Sequence, residues 1–263
     1  MRLAARIAGI GLVGPGLAGW HAAREALAGR VPYAGAPTRL AAPEALPATE
    51  RRRAGRCVKL ALAAGLDAVA GAGADAGALG AIFASSSGDG ETCHAICETL
   101  ASDDRLISPT RFHNSVHNAP AGYWSIATGA TASTDCVAAF DASFGAGLLE
   151  ALARLAAEPG IPVVLVAYDA PYPEPLRSAR PVPDAFAMAM VLSAAGGQAH
   201  AAIAASMTDD APRPMDDAGL ERLRREIPAA RALPLLARLA RGEAGAVVLE
   251  YLEGLALRVE VRP

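Results

Sequence analysis

Apolar residues follow two rhythms along this chain: short unbroken runs, and longer stretches in which they recur at helical spacing. IAGIGLVGP, from Ile7, is an apolar run ending in a glycine–proline turn and predicts a buried strand. GWHAAREALAG predicts a helix behind it, and the proline-rich residues 31–49 predict an irregular segment. From Glu50, ERRRAGRCVKLALAAGLDAVAG carries Val58, Leu60, Leu62 and Leu66 among its apolar positions and predicts an amphipathic helix. ALGAIFASSSGDG reads as a strand entering a glycine–serine loop, and ETCHAICETLAS as a helix. SPTRFHNSVHNAPAGYWSIATG, from Ser108, reads as a loop followed by a helix.

The second half continues the alternation. STDCVAAF predicts a strand and ASFGAGLLEALARLAAE a helix, with Glu150 and Arg154 at a supportive four-residue spacing. IPVVLVAYD predicts a buried strand, and residues 170–183, with five prolines, a loop. DAFAMAMVLSAA and AHAAIAASM predict two more apolar strands, expected as neighbours. A basic helix, GLERLRREIP, and a second short helix precede a hairpin of AVVLEY and LALRVEV about Glu253–Gly254. Strands alternating with helices imply an α/β layered fold whose sheet is mixed and mostly parallel, with flanking helices.

Composition narrows the function classes. The chain has 263 residues, 52% hydrophobic, with a mean hydropathy of +0.26, enough for a sizeable core. Net charge is −3 and the basic residues form no run beyond the arginines of Glu50–Arg53, which argues against a nucleic-acid surface. Cys57, Cys93, Cys97 and Cys136 are too few for a disulfide framework and fit a reducing, cytoplasmic setting. Glycines and a proline interrupt the apolar N-terminus, as in a strand and turn rather than a signal peptide. Charged or turn residues break every apolar run before membrane-spanning length, so no membrane span is expected.

The chemistry concentrates in TASTDCVAAFDASFGAGLLEAL, Thr131 to Leu152, where a strand turns into a helix. Two candidates for a nucleophile stand there, Cys136 and Asp141. Ser143 lacks the preceding glycine of a hydrolase elbow. Cys93, His94 and Cys97, with His113 and His117, have C-x-x-x-C spacing on a helix, which suits packing and loop hydrogen bonds better than zinc. SSSGDG, from Ser85, has no P-loop lysine and reads as a structural loop. Asp169 and Asp184 read as turn-capping and strand-starting acids rather than an acid pair. No cofactor is implied.

The order and spacing of several motifs resemble the β-ketoacyl synthases. IAGIGLVGPGLAGWHAAREALAGR resembles the family's opening, and ERRRAGRCVKLALAAGLDA the segment after its first loop. ISPTRFHNSVHNAPAGYWSIATGA, with Asn118 to Ile126, resembles the helix before the active site; LVAYDAPYPE and DAFAMAMVLSAA resemble the late strands. The resemblance spans about residues 5–200 and implies a thiolase-like half-domain over 1–200, with 201–263 a short α+β tail packed on it. In the family a cysteine nucleophile sits at the strand-to-helix turn. Counted from Gly122, that position holds Asp141, while Cys136 falls five residues earlier, inside the strand. Asp141 is a poor nucleophile toward thioesters and is expected to cap the helix.

The family's later histidine pair and lysine have no counterparts, since no histidine follows His200 and Lys59 is the only lysine. The resemblance therefore implies a non-catalytic chain length factor, of the shortened type found with aryl polyene ketosynthases. Such a subunit pairs with an active ketosynthase as a heterodimer, shapes its acyl tunnel, and meets the acyl carrier protein indirectly. The strand Ser133 to Phe140 would pair across the dimer interface, with the helix around Tyr123–Ile126 close by. Tunnel or interface candidates are Tyr123, Trp124, Ser133, Thr134, Cys136, Phe140 and Phe144, with Asp141 at the nucleophile position. The arginines from Gly219 to Arg241 form a basic face that is solvated or greets an acidic carrier protein. The alternatives are a stand-alone thiolase-like acyltransferase using Cys136, and a homo-oligomeric scaffold.

Overall fold

The structure is a computed structural model describing residues 2–194 and 199–263; Met1 and residues 195–198, including the last residue of the predicted strand 184–195, lie outside the described residues. Among the described residues nine strands form one sheet: β1 (Leu3–Gly14), β2 (Leu17–Ala18), β3 (Gly80–Ala84), β4 (Thr134–Val137), β5 (Val163–Asp169), β6 (Phe186–Ser193), β7 (Ala201–Thr208), β8 (Gly245–Leu252) and β9 (Leu255–Arg262). Their order is β4-β3-β5-β6-β1-β7-β9-β8, with β2 folded back on β1. The sheet is mixed, as expected, but parallel pairing is confined to β4–β3–β5; every other recorded pairing is antiparallel. Parallel neighbours need a helical crossover, which the chain supplies between β3 and β5. Beyond β5 each strand runs antiparallel to its sheet neighbours: β6 returns along β5, β1 and β7 follow in alternation, and β8 and β9 close as a hairpin.

The strands β6 and β7 are not neighbours. The long β1 lies between them, pairing Arg6–Val13 with β6 and Leu3–Ile7 with β7. Residues after 200 thus continue the main sheet as well as packing on it.

One face of the sheet is covered by α3 (Arg56–Ala72), which follows α1 (Trp20–Leu27) and α2 (Ala48–Arg53). The helix predicted from Glu50 is broken at Ala54–Gly55, where Ala54 adopts ψ 116°. Glycine lets β1 lie directly against α3. A Cβ on Gly9 would stand 2.1 Å from the Ala68 carbonyl oxygen, and one on Gly11 2.0 Å from that of Ala64. Beside α3 come α4 (Gly90–Ala101), α5 (Pro109–Asn114) and α6 (Ala119–Thr128).

The opposite face carries α7 (Ser143–Ala157), which buries Phe144, Leu148, Leu152 and Leu155. After the short α8 (Leu176–Ala179), the tail supplies α9 (Ala218–Glu226), a 3₁₀ turn at Pro228–Ala232, and α10 (Leu233–Arg241). The 3₁₀ turn packs on α7, and Ile227, Ala230, Leu233 and Leu236 share one core with Leu148 and Met190. From β8 and β9, Tyr251 and Leu257 close over Gly145 of α7. The tail is therefore a cover for α7.

That packing makes the tail part of the folding unit. Leu236→Ala, at a fully buried position, should cost about 2–5 kcal/mol of stability. Urea unfolding followed by circular dichroism measures it, and one cooperative transition for sheet and tail is expected.

Candidate functional site

The strand-to-helix turn is tight. Strand β4 ends at Val137, shorter than the predicted Ser133–Phe140, because the chain already turns at Ala139–Asp141. Phe140 has φ 50° and is the one non-glycine residue with positive φ among those described. Such a conformation costs on the order of 1–3 kcal/mol and persists only where surroundings enforce it. Here Ala142 N–H donates to the Ala139 carbonyl, and Ser143 Oγ accepts from Ala139 N–H at 3.0 Å while donating to the Phe140 carbonyl at 2.7 Å. Ser143 is a staple of the turn.

Asp141 occupies the turn, but it does not cap the helix. The N-cap of α7 is Ala142, with no side-chain cap bond. The Asp141 carboxylate is instead taken by two guanidinium groups, Arg180 at 2.5 Å and Arg231 at 3.2 Å. Arg180 also donates through Nε to Tyr172 Oη at 3.2 Å. Arg231 pairs with Glu250 at 3.2 Å, Glu250 with the buried Arg224 at 3.0 Å, and Arg224 with Glu221 at 2.6 Å. The hydrogen bond from Arg224 holds the Glu221 carboxyl down to about 2. The tail's arginines are therefore mostly committed to acids, Arg222, Arg238 and Arg241 included, rather than forming an open basic face.

Cys136 lies within β4, opposite Phe83 of β3. Burial pushes its thiol up to about 11, the reverse of what an activated nucleophile needs. Of the large aromatic candidates, three fill the chain's own core. Tyr123 is buried and donates to Asn114 Oδ1 at 3.1 Å; Trp124 packs edge-on against Phe83 and closes over Gly65 of α3. Phe144 is buried on the opposite side of the sheet. Phe140 differs: 63% of it is exposed, and the Arg180 guanidinium stacks over its ring at 3.7 Å.

Strand β4 is the edge of the sheet, with Ser133 exposed and Thr134 and Cys136 half-buried. Arg154 reaches from α7 to the Ser133 carbonyl and to Asp135, fastening this edge instead of pairing with Glu150. Between β3 and β4 the chain exposes Leu100, Leu106, Phe112, Val116 and Ile126, and α6, which carries Ile126, packs on β4. An open sheet edge and exposed apolar side chains are features that a protein partner covers.

The remaining candidates are structural. Asp169 is fully buried at the end of β5 and accepts from Ser85 Oγ, Ser86 Oγ, Ser86 N–H and Ala229 N–H, tying the SSSGDG loop to the tail. Asp184 accepts from Thr38 and Ala185 N–H, so the two acids form no pair. His117 meets the Ser85 carbonyl, His113 lies edge-on to Tyr123, His94 pairs with Glu98, and Cys93 faces the Ser115 carbonyl. Among the described residues no three His, Cys, Asp or Glu side chains come together to hold a metal ion. Arg180 and Tyr172 lie in a proline-rich loop with no motif to mark them, and Arg231, in the 3₁₀ turn, stands out in the sequence only as one arginine of the basic stretch Gly219–Arg241.

Burial pushes the Asp169 carboxyl up from 3.8 to about 6, against the pull of its hydrogen bonds. The folded chain therefore binds this proton more tightly than the unfolded chain. Its contribution to stability is complete below the unfolded value and is lost as pH rises through the folded one, on the order of 3 kcal/mol in all. Asp169→Asn should flatten the change in stability between about pH 4 and pH 7, measured by urea unfolding at each pH. Cys136, protonated and half-buried, should react with iodoacetamide at neutral pH much more slowly than a free thiol; intact-mass labelling kinetics with Cys136→Ala as reference check this.

The comparisons with known proteins agree with this architecture. The family model for the β-ketoacyl synthase N-terminal domain matches residues 20–244. No curated protein matches the chain. Among solved structures, one chain of the complex of the ketosynthase ApeO with its chain length factor ApeC, from Xenorhabdus doucetiae, is 24% identical, with a TM-score of 0.74 over 98% of this chain and 99% of that one. A chain of the ishigamide ketosynthase/chain length factor is 15% identical, with a TM-score of 0.73 over 99% of each. A β-ketoacyl synthase from Burkholderia phymatum STM815 is 14% identical, with a TM-score of 0.68 over 100% and 99%. At these identities the likeness establishes a common fold. With its family match, its mixed sheet and its strand-to-helix turn ahead of α7, the chain belongs to the β-ketoacyl synthase N-terminal domain family and has the thiolase-like fold of ketosynthases.

Proposed function

We propose that this chain is a non-catalytic chain length factor that pairs with an active ketosynthase, in the cytoplasm, in polyene or fatty-acid-like biosynthesis. The shortened type found with aryl polyene ketosynthases is the form it resembles. The observation that carries the reading is Asp141, a carboxylate at the family's nucleophile position, neutralised by Arg180 and Arg231. A carboxylate has no sulfur to carry a thioester; an acyl group on it would be a labile anhydride, and pairing with two arginines weakens it further as a nucleophile. Cys136, with its raised thiol in an edge strand, is a poor substitute. The chemistry then belongs to the partner, and the acyl carrier protein meets this chain only through the complex. The role calls for no cofactor.

A second support is the surface. The open edge strand β4, the exposed Ile126 on the helix packed against it, and the exposed Phe140 are what the partner would cover. Both neighbours named above as complexes join a ketosynthase to a chain length factor. Phe140 is the large side chain placed to reach outward, and its bulk would stop elongation by overfilling the far end of the partner's tunnel.

The test is product length in a reconstituted pair. Phe140→Ala should lengthen the products, whereas Phe144→Ala, at a buried core position, should mainly lower stability by about 3–5 kcal/mol. Mass spectrometry of the released acyl chains reads the first and urea unfolding the second. Unchanged lengths with Phe140→Ala contradict the tunnel role.

A further inference from the structure

Phe140 carries an exposed apolar ring, and exposure leaves a side chain free to change rotamer unless something holds it. Arg180 is built to do so. Its guanidinium is pinned at one end by Asp141 Oδ1 at 2.5 Å and at the other by Tyr172 Oη at 3.2 Å. Tyr172 itself is buried in the core. The Cζ of the guanidinium so fixed lies 3.7 Å from the Phe140 ring centroid, over one face of the ring, while most of the residue stays exposed. Neither a lysine nor an unpinned arginine reproduces this, because stacking needs a planar cation in a set orientation.

Resting on the reading that Phe140 limits acyl length, we infer that Arg180 is a positioning residue for Phe140. It holds the ring as a fixed projection toward the partner and so sharpens the product distribution. Asp141 then has a task of its own: it orients Arg180 from the position where the family has its nucleophile. Among the described residues Arg180 is the cation over the ring, so Arg231, which shares Asp141, is the matched control.

The experiment places 4-fluorophenylalanine at position 140 of the complex with its ketosynthase. The fluorine spectrum and the product lengths are recorded for wild type, Arg180→Met, Arg180→Lys and Arg231→Met. Wild type and Arg231→Met should give one narrow line and one dominant length. Both Arg180 variants should shift or broaden the line and raise the ratio of longer to main product by roughly two- to thirty-fold, the range a cation–π contact represents. If Arg180→Met fails to assemble, Arg180→Lys still decides, since it keeps the charge but not the plane. Wild-type lines and lengths in the Arg180 variants, or equal changes in Arg231→Met, overturn the positioning role. Phe140→Ala separates the two ideas. If it alters length and the Arg180 variants do not, only the positioning role falls; if it alters nothing, the reading of Phe140 falls first.

Discussion

The constraint on which this molecule depends is that both faces of its sheet are apolar and both must be covered. Along β5 the side chains alternate between two cores, Val164 and Val166 to one side, Val163 and Leu165 to the other. Helix α3 closes the first face, and only glycine in β1 lets it approach closely enough. On the second face α7 is itself buried, so it needs a layer above it. The tail provides that layer with Ile227, Leu233 and Leu236, and extends the sheet with β7, β9 and β8. Burying α7 between sheet and tail fixes where its N-terminus emerges, and that fixes the turn.

The turn is consequently a meeting point of three segments. Asp141 stands on it, Arg180 comes from the loop before β6, and Arg231 from the tail. The Asp141 carboxylate is paired with both cations, and both are themselves anchored, to Tyr172 and to Glu250. What the turn holds here is a cluster of charge and a projecting ring.

Much of the fold was legible. Periodicity located α3, α6, α7, β3 and β5 because each is long or strongly apolar and is buried in the way its rhythm implies. The separation of β6 and β7 is not legible, since local pattern says nothing about a strand nearly two hundred residues away inserting between them. The parallel sheet was overestimated for the same reason. At the site, counting placed Asp141 in the turn, but its partners lie 39 and 90 residues further on and no motif joins them. Tyr123 and Trp124 were credited to the interface by proximity in sequence, yet they face inward, while Ile126 on the same helix faces out.

Pairing with a catalytic partner is the central claim, and it is tested most directly by co-expressing the chain with a ketosynthase encoded beside it. The purified material is weighed intact before and after exposure to an acylated carrier protein. The account predicts a one-to-one complex in which only the ketosynthase gains the acyl mass. A self-sufficient oligomer of this chain, or an acyl group found on its Cys136, would contradict it.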